Sequence, residues 1–337
     1  MSIKLLKTVF FLVILAPAAM AAEPETRFLF PLSCMIGEDC WAVNYNDSDP
    51  AENVAKDYRC GNQTYDGHDG TDFAVRDWVT MTGGVDVLAA AGGKIVRARD
   101  EIEDREPTPA ELEKMKEDKK GCGNGVLIDH GKGWQTIYCH MKKGSVVVKA
   151  GDKVETGQKI GQVGESGMAE FPHLHFGAFH DGKIIDPYTG TENGGSCGGD
   201  NNSLWLEGLT LNYEPFTLYA AGFEPGIPEF QAIKKNAAGS SLLPPSLSAL
   251  TFWGLIFNTM EDDKITITIT DPNGDAFATR DIVQDKTRAR QFYYVGKKTN
   301  DKMLLPGTYK GKITLTRTSP EGIVTSKDIS RDLTISP

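Results

Sequence analysis

The sequence predicts a mainly β fold: an antiparallel β-sheet domain followed by a small immunoglobulin-like β-sandwich. Three observations carry this expectation. Short apolar runs recur between Gly-bearing turns over residues 67–190. Only one segment has strong helix signals. A Gly-rich stretch at 191–205 separates two halves of different character, because every His and Cys precedes residue 198 and none follows it.

Residues 1–22 read as a secretory signal peptide. Lys4 and Lys7 supply the positive start, Val9 to Ala16 the short apolar run that Pro17 breaks, and Ala19-Met20-Ala21 the small residues at the cleavage site. The apolar run is shorter than the roughly 20 residues a bilayer span needs. No stable membrane insertion is expected after cleavage, and the destination is periplasmic or extracellular.

Residues 23–66 are mixed and are expected to pack on the domain that follows. Over 67–190 the strand-like runs are Thr71–Val75, Val85–Ala89, Lys94–Arg97, Val126–Asp129, Gln135–His140, Ser145–Val148 and Leu174–Phe179. One insert breaks the rhythm at 108–120. Thr108 as N-cap, Pro109 at the first helical position and Glu111 three residues after the cap predict a short charged surface helix. Residues 191–205 read as a linker. Over 206–337 the expected strands are Leu247–Asn258, Lys264–Thr270, Gln291–Val295, Thr308–Thr316 and Asp332–Ile335. Asp271-Pro-Asn-Gly-Asp275 and Pro306-Gly307 punctuate them. Trp253, Tyr293 and Tyr294 are expected to be core or sheet residues rather than carbohydrate platforms.

With 337 residues, 40% hydrophobic and 24% charged, the chain has the composition of a globular protein of about two domains. Its formal charge is −10, and signal cleavage would take Lys and Arg from 36 to 34 against 46 acidic residues. Nucleic acid is not an expected partner, because phosphate backbones demand clustered Lys and Arg. Export puts Cys34, Cys40, Cys60, Cys122, Cys139 and Cys197 in an oxidising compartment, where an even count argues for disulfides. Locality favours Cys34 with Cys40, and Cys122 with Cys139 across a turn at His130-Gly-Lys-Gly133. Cys60 with Cys197 follows only by elimination.

Four of the six His fall in three segments of the first half: Gly67-His68-Asp69-Gly70-Thr71-Asp72, Tyr138-Cys139-His140 and Pro172-His173-Leu174-His175-Phe176. On a strand, His173 and His175 project from one face while Leu174 and Phe176 project from the other. His68 and Asp72 share parity, and Gly67 and Gly70 let the backbone come close. A catalytic Zn²⁺ takes three protein ligands and keeps one open position. His, Asp and His meet that count, which leaves two His for proton transfer and oxyanion stabilisation. In a regular strand Cys139 would point away from His140, in keeping with a disulfide. His130 and His180 are expected in turns.

These segments resemble the lysostaphin-type (LytM-type) zinc metallopeptidase family of peptidoglycan endopeptidases, over about residues 65–190. The surrounding runs are similar too: Asp72-Phe-Ala-Val75, Gly123-Asn-Gly-Val-Leu-Ile-Asp-His-Gly131 and Val154-Glu-Thr-Gly-Gln-Lys-Ile-Gly161. The resemblance implies that His68, Asp72 and His175 hold zinc. It implies that His140 and His173 are catalytic, one as general base and the other at the oxyanion. It implies peptidoglycan peptides as the substrate. Asn124 and Asp186 fall in family-like contexts, but turn and core hydrogen bonding accounts for them. Rival readings are a noncatalytic wall-binding protein, an activator of another cell-wall hydrolase, and a zinc protease for Gly-rich proteins.

Overall fold

The computed structural model describes residues 26–336 except 196, 199–201, 210, 301 and 320–321. The expected signal peptide, residues 1–22, lies outside the described residues. In chain order the first half forms β1 (Cys40–Asn44), β2 (Thr71–Val75), α1 (Trp78–Gly83), β3 (Asp86–Leu88), β4 (Gly93–Arg99) and α2 (Pro109–Glu117). It continues with β5 (Asn124–Gly131), β6 (Trp134–Met141), β7 (Lys153–Val154), β8 (Lys159–Gln162), β9 (His173–His180) and β10 (Lys183–Ile185).

Eight of these strands make one antiparallel sheet, in the order β1-β2-β9-β6-β5-β4-β7 with β10 also beside β9. β3 and β8 pair separately. Strand alternation sorts β9 into two faces. Leu174, Phe176 and Ala178 enter a core with Phe73, Tyr138 and Ile128, and the two imidazoles face the other way. Phe28, Phe30 and Leu32 from the N-terminal segment join this core, as do Leu204 and Trp205, which differ from expectation in being core residues at the end of the stretch read as a linker. Phe28 and Trp205 form a bridge. α2 carries the expected capping box on Thr108 and Glu111 and buries no residue. Ser145–Val148 differs from expectation: it is not a strand. Its outward Val147 is exposed, and one backbone bond, Val147 N–H to the Ile160 carbonyl, ties it to β8.

The second half forms β11 (Thr217–Glu224), α3 (Phe230–Lys235), β12 (Leu242–Leu243), β13 (Ala249–Thr259) and β14 (Lys264–Thr270). β15 (Ala276–Val283), β16 (Arg288–Lys298), β17 (Gly307–Thr318) and β18 (Val324–Ile335) complete it. A three-stranded sheet, β11-β13-β16, faces a five-stranded one, β12-β18-β17-β14-β15. Ile265, Ile267 and Ile269 alternate with Thr on β14 and meet Phe252 and Ile256 of β13 in a shared core. This order is compatible with the immunoglobulin-like sandwich that the sequence suggests.

β13 is buried along its whole length. Leu250, Phe252 and Ile256 face the sandwich core, whereas Trp253, Leu255 and Phe257 face outward into a third cluster with Trp41, Val43 and Ala74. A strand covered on both faces needs a nearly continuous apolar run, and Ala249-Leu-Thr-Phe-Trp-Gly-Leu-Ile-Phe257 is one, broken only by Thr251, whose hydroxyl bonds the Gly226 carbonyl. The two halves therefore meet through a hydrophobic interface.

All three expected disulfides form: Cys34–Cys40, Cys60–Cys197 and Cys122–Cys139. Cys60–Cys197 encloses the span that holds all three His segments. Near it, Tyr45, Tyr58, Tyr188 and Tyr213 pack their rings together, with Tyr58 on Tyr188 and Tyr45 on Tyr213 in stacked pairs.

Asp186 lies buried beside this cluster. Its Oδ1 accepts from the Tyr188 N–H at 2.8 Å, and its Oδ2 has no partner. Burial pushes its carboxyl up to about 7, only partly opposed by that hydrogen bond and reinforced by Asp57. The folded protein then holds a proton that the unfolded chain releases near pH 4. Stability from this group is complete below about pH 4 and is lost as pH rises towards 7, on the order of 4 kcal/mol at most. Asp186→Asn keeps the acceptor and cannot ionise. Urea unfolding at pH 5 and pH 8 is expected to show a smaller fall for the variant than for the parent, and parallel falls would contradict this.

Candidate metal centre

The geometry begins with strand register. β2 and β9 pair Asp72 with His175 and Ala74 with His173, so Asp72 and both imidazoles rise from one face. His68 reaches the same point from the loop before β2. Gly70 makes this approach possible, because a Cβ there would lie 2.6 Å from His175 Nε2 and from the Phe176 carbonyl. Three donor atoms converge: His68 Nε2 to Asp72 Oδ1 at 3.2 Å, His68 Nε2 to His175 Nδ1 at 3.2 Å, and His175 Nδ1 to Asp72 Oδ1 at 3.0 Å.

The remaining polar atom of each donor is held by another group. His68 Nδ1 lies 2.7 Å from the Tyr45 carbonyl, so that nitrogen carries the proton and Nε2 keeps its lone pair. His175 Nε2 lies 3.2 Å from Asp69 Oδ1, which frees Nδ1 in the same way. Asn44 Nδ2 donates to Asp72 Oδ2 at 2.9 Å and leaves Oδ1 for the triangle. Such partners fix ring orientation and raise ligand basicity in metal sites.

This donor set fits zinc. Tetrahedral bonds of about 2.0 Å set ligand atoms roughly 3.3 Å apart, close to the triangle's edges. His68, Asp72 and His175 are one of two His/Cys/Asp/Glu groups among the described residues with converging ligand atoms, and the other contains the Cys34–Cys40 disulfide. The surroundings also favour positive charge. Burial opposes ionisation of Asp72, but His68, His173 and His175 outweigh it and hold the carboxyl well below its usual range. Burial likewise opposes charge on His175, yet Asp69 and Asp72 raise it to about 10.

His173 and His140 stand beside the triangle, with ring centroids 4.6 Å apart. His173 Nδ1 donates to the Phe171 carbonyl at 2.8 Å, and His140 Nδ1 donates to the Ser166 carbonyl at 2.8 Å. Both therefore keep a free Nε2. Burial lowers His173, and burial with repulsion from His173 and His175 pushes His140 down to about 3, so the surroundings of both rings favour the neutral form.

His140 departs from regular strand geometry. Cys139 sits opposite His175 in the β6–β9 register, and alternation would turn His140 to the other face. A φ of 60° at His140 breaks the alternation and returns its ring to the cluster. Left-handed backbone is uncommon for a residue with a side chain and gathers at functional sites.

Asn44, Asp69 and the Tyr45 carbonyl escaped the sequence reading. Asn44 and Tyr45 belong to or follow a strand that the polar loops around them concealed. Asp69 is adjacent to His68 but works on His175. Elsewhere His130 bonds the Gly92 carbonyl and Thr136, His180 stacks on Trp134, and Asn124 bonds backbone at Ile102 and Met141. Trp253 is buried, in keeping with a core role.

Residues 66–187 match peptidase family M23. An uncharacterized metalloprotease of Haemophilus influenzae is 31% identical over 122 residues, covering 36% of this chain and 20% of that protein. The peptidoglycan DD-endopeptidase ShyA of Vibrio cholerae is 32% identical over 119 residues, covering 35% of this chain and 22% of that protein. The chain thus spans about a fifth of the length of these two relatives. Among solved structures, the catalytic domain of lysostaphin from Staphylococcus simulans is similar at 26% identity and a TM-score of 0.27, over 42% of this chain and 85% of that one. Residues 66–187, which bring the His68–Asp72, Tyr138-Cys-His140 and His173-Leu-His175 segments to one point, are a peptidase family M23 domain of the LytM type.

Proposed function

We infer that the protein is a secreted zinc metalloendopeptidase that hydrolyses peptide bonds in bacterial peptidoglycan, in stem peptides or cross-bridges. The observation that supports this most is the triangle of His68, Asp72 and His175, with edges of 3.0 to 3.2 Å and two neutral imidazoles beside it. A bound zinc would act as a Lewis acid and lower the pKa of water. The protein's own groups do the rest. Asn44, Asp69 and the Tyr45 carbonyl hold the ligand orientations. His140 and His173 each present an unprotonated Nε2, the form a general base needs. Once one has taken the proton, it can return it to the leaving amine. The other, after taking up a proton from solvent at its Nε2, can donate a hydrogen bond to the carbonyl oxygen as negative charge develops there.

Peptidoglycan as substrate is supported by relatives such as ShyA. A periplasmic or extracellular location is supported by the three disulfides and by the signal-like residues 1–22. No helix of the described residues is long and apolar enough to cross a membrane. Mass spectrometry of purified sacculi digested with the zinc-loaded protein tests the reading. Released muropeptides with new free termini are expected. Intact sacculi, combined with co-sedimentation or stimulation of a partner hydrolase, would replace it with the noncatalytic reading.

A further inference from the structure

A groove of about 1010 Å³ runs from Asp72, His140 and His173 to the second half of the chain. Its far wall includes Met260 and Glu261 in the turn after β13, and Arg288 at the start of β16.

That wall is held in place. Asn258 Nδ2 donates to the Val43 carbonyl at 2.6 Å, and the Ala237 N–H donates to Asp77 at 2.8 Å. Lys234 of α3 is buried and lies 3.1 Å from Glu165 and 2.8 Å from Glu106. Arg290 of β16 sits 5.3 Å over the ring of Phe171, two residues before His173. With the cluster around Trp253 and Phe257, these contacts make the sandwich a fixed side of the groove.

The charges lining the groove divide into used and unused. Arg317 binds both oxygens of Asp263, Arg288 pairs with Asp285, Lys116 with Glu113 and Glu106 with Lys234. Among the described residues, Arg59, Glu170 and Glu261 form no ion pair. The disulfide Cys60–Cys197 anchors the chain next to Arg59. A neutral peptide laid here would partly desolvate these charges and leave them unmatched, a cost that discriminates against it. A peptide with a free amine and a free carboxylate would match both signs.

We propose that the C-terminal sandwich is part of the substrate site, where Glu261 reads a free amine and Arg59 reads a free carboxylate of the bound peptide. This rests on the endopeptidase reading and adds to it a substrate class and a role for the second domain.

The test uses the zinc-loaded full chain and a fluorescein-labelled branched peptide with one free side-chain amine and one free α-carboxylate. It is compared with its N-acetylated and amidated forms, by anisotropy for binding and by chromatography for cleavage. The parent is expected to favour the free form by about fivefold at each group. Glu261→Gln should erase the amine preference alone and Arg59→Gln the carboxylate preference alone. Both side chains are exposed, so zinc content and melting temperature should not move. Selective binding that both variants abolish, without cleavage, sustains the subsites and removes the endopeptidase reading. Cleavage with no preference, or with preferences that survive both substitutions, overturns the subsites and leaves that reading standing. A parent that neither binds nor cleaves overturns both.

Discussion

Asp72→Asn is expected to lose its metal and its activity together. The substitution preserves volume and nearly preserves shape, so the fold has little reason to respond. The consequence lies in hydrogen-bond polarity. Asn44 Nδ2 already donates to one side of this group at 2.9 Å. The new amide must turn its oxygen to Asn44, which points its NH₂ at His68 Nε2 and His175 Nδ1. A donor then stands where a ligand lone pair stood, and the negative charge that balances a divalent cation is gone. Removing only a supporting partner of a metal ligand costs roughly 10- to 100-fold in affinity, and losing a ligand should exceed that. Elemental analysis after dialysis against a weak chelator should find the parent loaded and the variant nearly empty. Sacculus digestion should fall by about 10³-fold or more. A variant that keeps both zinc and activity would falsify the ligand assignment.

His140→Ala and His173→Ala should behave differently from Asp72→Asn. Each is expected to lower kcat by about 10²- to 10⁴-fold, the usual range for losing a positioned acid or base, with zinc content unchanged. KM should change little, because the loss falls on the transition state. The double variant should be far less than multiplicatively worse, since the two rings act together on one transition state. If either single variant sheds its zinc, that imidazole belongs with the ligands. If kcat stays within about twofold, it has no part in the chemistry.

The legible part of this protein was the part governed by local alternation. Period-2 patterning placed β2, β9 and β14, and the same alternation put His173 and His175 on one face. Capping chemistry located α2. The rest depended on long-range partners. β1 was hidden because Trp41 and Val43 face the second half of the chain while Ala42 enters the first core. β13 read as alternating, although its nearly continuous apolar run was a signal of burial on both faces. Ser145–Val148 has strand-like composition and lies beside β8, but it shares only one backbone hydrogen bond with that strand and so forms no ladder. The left-handed turn at His140 left no trace in residue identity, and neither did the pairing of Asp69 with His175 across the loop.

The third hydrophobic cluster bears on where this chain can be cut. Similarity to relatives picks out residues 66–187, and a Gly-rich stretch invites a scissor just after them. Yet a fragment ending there would lose Trp205 from its core and present Trp41, Val43 and Ala74 to water. Such a minimal head would be adhesive and would tend to self-associate. The heritable module is thus smaller than the self-sufficient body, and recombinant truncations or chimeras should carry the sandwich along with the part that bears the histidines.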